Sequence, residues 1–253
     1  MASATGIPER RYDDVESEGI EQRETEPLLG RPGDAVQEEG VPMFSNLVLG
    51  TGILAQLGIV LLVALIWASV LTKPLILFSG HPLAQSLAIL TLAQSILTLQ
   101  PTHTAEQKRI GQRLHASLNL VAFLLLVAGV TIIEYNKFAS HGPHFHSLHG
   151  YLGVAASVLL LVQYLVGFTM WATPALYGGE HNAKSIWKYH RYSGYLVFLL
   201  LLATVVSAVD TDYNKNVLKL KLWATALLAV LVVLGIFPRI QKQKLGFKAT
   251  SLT

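Results

Sequence analysis

The sequence contains no cysteine. This absence excludes a disulfide framework, a cysteine-ligated iron–sulfur cluster and the C-x-x-C-H attachment of a c-type haem. Charged residues are also scarce, at 14% of the 253 residues, whereas a soluble domain carries about 25%. Hydrophobic residues make up 52% of the chain. This balance excludes a soluble hydrolase or a nucleic-acid-binding protein, and it predicts a protein whose main contact is with membrane lipid.

Residues 1–43 carry most of the negative charge, because they hold 11 of the 16 acidic residues and only four basic ones. No apolar run precedes residue 44, so we expect no cleaved N-terminal signal peptide. The segment is rich in Glu, Gly and Pro and poor in large apolar residues, which predicts a disordered acidic tail. Within it, Glu24–Leu29 ("ETEPLL") resembles the dileucine signals that direct membrane proteins to vacuoles or lysosomes. Chance matches are common in acidic tails, so a plasma-membrane location stays open.

Uncharged runs of about 20 residues indicate membrane-spanning helices. The chain has five clear runs and a shorter sixth, which lengthens backwards through Val217–Leu220 if Lys219 and Lys221 snorkel to the interface. We therefore predict an all-α integral membrane protein with a transmembrane domain over residues 44–240 and a basic C-terminal tail over residues 241–253. The predicted spans are Asn46–Val70, Pro82–Gln100, Leu114–Ile133, Leu148–Ala172, Tyr192–Val209 and Leu222–Phe237.

The distribution of lysine and arginine predicts the orientation. With six spans both termini lie on one side, and that side carries ten basic residues from residue 44 onward, against five on the other. Because cytosolic loops are enriched in Lys and Arg, both termini are predicted to be cytosolic.

Four of the nine histidines occur where a predicted span begins: His81, His115, His149 and His190 at the second to fifth spans respectively. Successive spans start on opposite faces of the membrane. His81 and His149 therefore share the non-cytosolic depth, while His115 and His190 share the cytosolic one. Two imidazoles on facing helices, with no Cys or carboxylate beside them, suit six-coordinate haem iron with two axial histidines. The pattern predicts two haems, one in each leaflet, that form an electron relay.

The residues one helical turn after these histidines favour the same interpretation, but only mildly. Gly153 and Gly194 follow His149 and His190 by four residues and leave space for a flat macrocycle or a neighbouring helix. The polar residues at the equivalent positions of the other two spans are predicted to hydrogen-bond a haem edge or another helix; they are Gln85 and Asn119.

A single histidine at a helix end is as readily explained by solvation at the interface. His103 and His181, in predicted cytosolic loops, are expected to be solvated. Four histidines at matching depths favour a functional role, because ionisable residues are costly inside a bilayer.

The segments "FSGHP", "RLH", "SLHGYLG" and "KYHRYSGY" resemble, in order and spacing, the four haem-histidine signatures of the cytochrome b561 family. The resemblance covers about residues 44–240 and is to the compact, stand-alone members. It implies six helices with a haem-binding core of helices two to five and two non-covalent haem b groups. It also implies a transmembrane oxidoreductase that takes electrons from cytosolic ascorbate, or another cytosolic reductant, and delivers them to monodehydroascorbate or ferric chelates.

The resemblance also implies a binding site for ascorbate, which is an anion at neutral pH. Ascorbate-using members carry basic residues six and two positions before the third-span histidine and six before the fifth-span histidine. Arg109, Arg113 and Lys184 occupy these positions here. The alternative is that they only satisfy the excess of positive charge on the cytosolic side.

The segment "HGPHFHSLH" adds His141, His144 and His146 in front of His149. An imidazole cluster suits copper, zinc or iron, so this loop is either a metal-docking site or a polar loop with one haem ligand at its end. His146 is an alternative ligand to His149. We favour His149, because it is deeper and is followed by Gly150 and Gly153.

Two other functional classes are open. A histidine-dependent metal or proton transporter of six helices is the first, but it would usually need acidic residues inside the spans, and the clear spans contain none. A membrane adaptor that recruits partners through its acidic tail is the second, and it leaves the four ordered histidines unexplained. A homodimer is compatible with the sequence, which leaves the oligomeric state undetermined.

Overall fold

The computed structural model of the protein describes residues 34–245. The dileucine-like segment Glu24–Leu29 and the last residues of the C-terminal tail lie outside this range. The described chain forms six α-helices and no strand: α1 (Gly52–Leu71), α2 (Gly80–Leu99), α3 (Ala105–Ala139), α4 (Leu148–Ala172), α5 (Glu180–Ser207) and α6 (Leu222–Ile236). Together with their flanking turns, all six are long and apolar enough to cross a membrane. The prediction of an all-α, multi-pass membrane protein with six spans is confirmed.

Helices α3 and α5 begin well before the predicted spans. α3 begins at Ala105, where Thr104 caps its first turn by accepting a hydrogen bond from the backbone N–H of Gln107. With 35 residues it is about 52 Å long, which exceeds the hydrocarbon core of about 30 Å. Hydropathy detects where a helix enters lipid and not where it begins. His115 and His190 therefore lie about ten residues inside their helices, and the prediction that they open them is wrong.

The proposed backward extension of the sixth span is also wrong. α6 begins at Leu222, and the preceding residues Asn214–Leu218 form a π-helical turn. The buried side chain of Asn214 holds this turn, because its amide donates to the carbonyls of Val209 and Leu220 and accepts from the N–H of Leu220. Lys219 then adopts a left-handed conformation, with φ of 58°, which ends any continuous helix.

Small residues allow α1 and α6 to pack closely. A Cβ atom at Gly235 would lie 2.2 Å from the backbone nitrogen of Ala55, and one at Gly58 would lie 2.8 Å from the carbonyl oxygen of Leu228. Close approach at glycine is the usual basis of helix association in lipid. Within this pair, α1 packs on α2 and α6 contacts α5, so the two helices lie beside the central four.

The central helices form two hairpins. α2 packs along α3, and α4 packs along α5, whereas contacts between the two hairpins are few. This sparse contact matters for function, because each hairpin carries two of the four histidines singled out above, and the two hairpins face each other.

Both ends of the described chain pack against the same end of the helices. Gln37 is buried and accepts a hydrogen bond from the buried amide of Asn46. Arg239 is buried at the end of α6 and donates to the carbonyls of Asn46 and Leu97. A cation suits the carbonyl-rich C-terminal end of a helix such as α2. The packed chain therefore extends several residues before the predicted boundary at residue 44.

Candidate metal centres

The first histidine pair joins the two hairpins. His81 in α2 and His149 in α4 have ring centroids 6.1 Å apart, with the ring planes at 85°. His146 is exposed in the loop before α4. Of the two alternatives, the structure therefore brings His149, and not His146, to His81.

Hydrogen bonds set the tautomer of both imidazoles in this pair. Nδ1 of His81 lies 2.9 Å from the carbonyl oxygen of Gly129, and Nδ1 of His149 lies 2.8 Å from that of Thr204. A carbonyl oxygen can only accept, so each Nδ1 carries the proton. The lone pair of Nε2 is then free on both rings, and a backbone partner on Nδ1 is the usual support of a metal-binding histidine.

The second pair is His115 in α3 and His190 in α5. The two side chains are close enough for a charge on one to act on the other. Nδ1 of His115 lies 2.8 Å from Oγ of Ser95 in α2, and the amide of Asn119 also donates to that oxygen at 2.6 Å. The Ser95 hydroxyl points its own proton toward the carbonyl of His115, at 3.4 Å. With Nδ1–H of His115 as a donor, all of these groups are satisfied together and Nε2 is again free.

His190 is held differently. Its Nδ1 is buried and has no hydrogen-bond partner. The helix around it is fixed instead by Gln163 of α4, whose amide donates to the carbonyl of His190 at 2.6 Å and accepts from Ser193. The ring packs on Gly167, where a Cβ atom would lie 2.7 Å from Cε1 of His190. Glycine at this position therefore makes room for the imidazole.

The two hairpins share a 14-residue spacing between the histidine of one pair and the carbonyl that supports the other pair. Gly129, the partner of His81, lies 14 residues after His115, and Thr204, the partner of His149, lies 14 residues after His190. Fourteen helical residues rise about 21 Å, so the two histidine pairs lie about that far apart along the helices. Sequence reasoning missed Ser95 and Gln163. Both are polar residues inside apolar spans, 14 residues after His81 and His149. This shared offset could have identified them from the sequence.

The residues that follow the histidines by one turn contact neighbouring helices. The amide of Gln85 donates to the carbonyl of Leu126, and Asn119 bonds to Ser95 as described. A Cβ atom at Gly194 would lie 3.0 Å from the amide nitrogen of Gln163, while one at Gly153 would meet only Cγ2 of Thr204 at 3.9 Å. For Gln85, Asn119 and Gly194, the structure supports the neighbouring-helix interpretation over the macrocycle one.

The His81–His149 pair fits haem iron better than a metal held by protein alone. Two imidazoles on opposite sides of one metal ion, each about 2.0–2.1 Å from it, have ring centroids about 6.3 Å apart, close to the observed 6.1 Å. Residues 34–245 contain no group of three or more His, Cys, Asp or Glu side chains placed to hold a metal. A pair of axial ligands is complete only where a macrocycle supplies the other four.

The basic residues implied to bind ascorbate lie on the exposed surfaces of α3 and α5. Arg109 and Arg113 are exposed and lie about 120° and 160° around α3 from His115. Lys184 is exposed and pairs with Glu180 at 3.4 Å. The structure thus places the three on the half of the helices that carries His115 and His190, but the two arginines do not share a face with His115.

The histidine loop does not form a metal site among the described residues. His144 pairs with Glu134 at 3.1 Å, and its ring packs between those of Phe138 and Phe145. With no third ligand assembled, the metal-docking interpretation finds no support.

The two loop histidines expected to be solvated differ. His181 is exposed, at the start of α5, whereas His103 is half-buried in the turn before α3. Burial, and next to it the charge of Lys244, lower the pKa of His103 below its ordinary value. His103 is therefore only partly solvated.

Comparison with known proteins identifies the family. The family model described as eukaryotic cytochrome b561 matches residues 80–215, which is more than half of the chain and includes all four histidines.

Individual relatives match less of their own length. The transmembrane ascorbate-dependent reductase CYB561 of Mus musculus is 29% identical over 131 residues, which cover 51% of each chain. The plasma membrane ascorbate-dependent reductase CYBRD1 of Mus musculus is 31% identical over 141 residues, 54% of this chain and 44% of the relative. The lysosomal membrane ascorbate-dependent ferrireductase CYB561A3 of Bos taurus is 30% identical over 145 residues, 54% of this chain and 51% of the relative. The chain thus spans about half the length of the relatives it matches. Through the family match and the histidines within it, the chain belongs to the eukaryotic cytochrome b561 family, whose implied cofactor is haem b.

Proposed function

We propose that the protein is a dihaem b-type electron-transfer protein that carries electrons across a membrane. The observation that carries this proposal is the facing pair His81 and His149, with ring centroids 6.1 Å apart and both Nδ1 atoms bonded to carbonyls. His81 and His149 would hold one haem iron, and His115 and His190 the other. When bound, each haem supplies a one-electron iron couple.

The protein's own residues would bind the haem iron and fix the orientation of the imidazoles that hold it. The carbonyls of Gly129 and Thr204 and the hydroxyl of Ser95 fix three of the imidazoles in the Nδ1–H tautomer. Half-buried positions within apolar helices keep water from the iron ligands. No acid–base residue is required for the transfer between the two centres, because only an electron moves there; the proton released when the ascorbate monoanion is oxidised to its radical anion passes to cytosolic water. Neither histidine pair has a carboxylate partner among the described residues, which disfavours the alternative of a metal or proton transporter.

The proposed direction is from the cytosol outward. The excess of Lys and Arg on the side of the termini supports cytosolic termini, and His115 and His190 then lie on the donor side. The relatives named above are ascorbate-dependent reductases, one of them a ferrireductase. By analogy, the donor is ascorbate and the acceptor is monodehydroascorbate or a ferric chelate. We propose an endolysosomal or vacuolar membrane from Glu24–Leu29, which lies outside the described residues.

The experiment that tests this function is a reduced-minus-oxidised absorption spectrum of the purified protein. We expect a b-type haem signal and reduction by ascorbate. In sealed vesicles, ascorbate added on the side of the termini should reduce the protein faster than ascorbate added on the other side. Absence of haem from protein purified in a haem-supplied host would overturn the proposal.

Reversing the charge of the exposed arginines is expected to weaken donor binding. Arg109→Glu with Arg113→Glu should raise the KM for ascorbate by about three- to tenfold, because exposed charge pairs contribute up to about 1 kcal/mol each. The kcat and the haem spectrum should stay unchanged, and the effect should shrink at high salt. Lys242→Glu, an exposed charge reversal at the C-terminal end of the described chain, is the control. An equal rise in KM in that variant would assign the effect to overall surface charge.

A further inference from the structure

Tyr164 links the two hairpins of the core. Its hydroxyl, on α4, donates to the backbone carbonyl of Asn119 on α3 at 2.6 Å. Its ring packs against that of Phe123, also on α3, at a centroid distance of 4.6 Å. Contacts between the two hairpins are few, and the Tyr164 link is one of three direct bridges within residues 34–245, with the facing rings of His81 and His149 and the hydrogen bond from Gln100 to the hydroxyl of Tyr195.

The link lies between the levels of the two histidine pairs. Phe123 is eight residues after His115 and six before Gly129, which marks the level of His81. These offsets correspond to rises of about 12 Å and about 9 Å. The hydroxyl of Tyr164 reaches Asn119, which is one turn from His115. The bridge therefore acts closer to the His115 level than to the His81 level.

A hydrogen-bond chain connects Tyr164 to the imidazole of His115. The carbonyl of Asn119 accepts from Tyr164, while the Asn119 side chain donates to Oγ of Ser95 at 2.6 Å and to the carbonyl of His115 at 2.6 Å. Oγ of Ser95 accepts from Nδ1 of His115 at 2.8 Å. The first pair has no such chain, because His81 and His149 donate directly to backbone carbonyls.

We propose that Tyr164 is a positioning residue for one of the two centres: through Asn119 and Ser95 it fixes the orientation of His115, and it sets the spacing of the hairpins around the His115–His190 pair. This inference rests on the proposed haem function. The half-buried position within the span and the satisfied hydroxyl make the link rigid. Loss of the hydroxyl should free the turn that carries His115 while leaving the His81–His149 pair in place.

The test is Tyr164→Phe, which removes only the hydroxyl, with Tyr151→Phe as the matched control on an exposed position of the same helix. Electron paramagnetic resonance of the oxidised protein should show two low-spin signals, and His149→Ala identifies the one that belongs to the His115–His190 centre. We expect Tyr164→Phe to shift that signal alone. Transfer of that haem to apomyoglobin should become about threefold to tenfold faster, as for loss of one ordinary hydrogen bond.

Three results would overturn the inference. They are an unchanged signal of the His115–His190 centre in Tyr164→Phe, equal changes or losses at both centres, and the same shift in Tyr151→Phe. The proposed function fails separately, if the wild-type protein itself binds no haem.

Discussion

Replacing His149 by alanine is expected to lower the haem content from about two per protein to about one. His149 is one of two facing imidazoles that would hold the haem iron, and a methyl group cannot bind iron. The haem that is lost should be the one nearer the non-cytosolic face, while the signal of the His115–His190 centre persists. The measurement is the haem-to-protein ratio by pyridine haemochrome, together with the low-temperature absorption spectrum. His81→Ala should give the same spectrum, because both histidines are proposed to hold one iron.

The control is His146→Ala, three residues earlier in the chain. His146 is exposed in the loop, whereas the ring of His149 faces His81. This variant should therefore retain both haems. Loss of one haem in His146→Ala, with retention in His149→Ala, would reverse the ligand assignment. Loss of neither haem in His149→Ala would contradict the pairing of His81 with His149.

Replacing Gly167 by alanine is expected to displace His190. The added Cβ atom would lie 2.7 Å from Cε1 of the imidazole, well inside van der Waals contact. The amide of Gln163 donates to the carbonyl of His190 and fixes the backbone there, so the imidazole must rotate about its own side-chain torsions to relieve the contact, which moves it from the position that faces His115. We expect the haem of the His115–His190 centre to be lost or its spectrum strongly shifted, with the other centre unchanged.

Gly150→Ala on the same helix is the matched control. A Cβ atom there meets only Oγ of Ser147, at 3.5 Å, which is an ordinary contact. Alanine also favours the helix over glycine by about 0.5–1 kcal/mol, so this variant should be at least as stable as the wild type. Unchanged spectra in Gly167→Ala would show that His190 does not occupy the observed position when haem is bound.

The sequence predicted the helix bounds best where the apolar run that crosses the membrane is also the whole helix. The bounds of α4 match the prediction at both ends, and six spans are present. The starts of α3 and α5 were misplaced, because their first turns lie outside the apolar run and depend on local features. Thr104 provides a cap for α3, and Gly178 and Gly179, both with positive φ, precede α5. The turn around Asn214 was missed for a similar reason, since one buried amide satisfies several backbone groups there.

The histidines of the candidate centres could be chosen from the sequence, because ionisable residues at matching depths in apolar helices are rare. The supporting groups could not. The partners of His81 and His149 are backbone carbonyls, which every residue carries and which no side-chain pattern reveals. The position of Gly167 against His190 likewise depends on how α4 packs on α5.

The sequence by itself determined that the protein spans a membrane and that its histidines occur at two depths, because hydrophobic length and helical rise are one-dimensional properties of the chain. Only the tertiary structure decided that the imidazoles of His81 and His149 face each other, that His149 and not His146 meets His81, and which nitrogen His81, His115 and His149 leave free. It also showed the bridge from Tyr164 to Asn119. These features depend on the rotation and packing of helices about their axes, and hydropathy does not constrain that rotation.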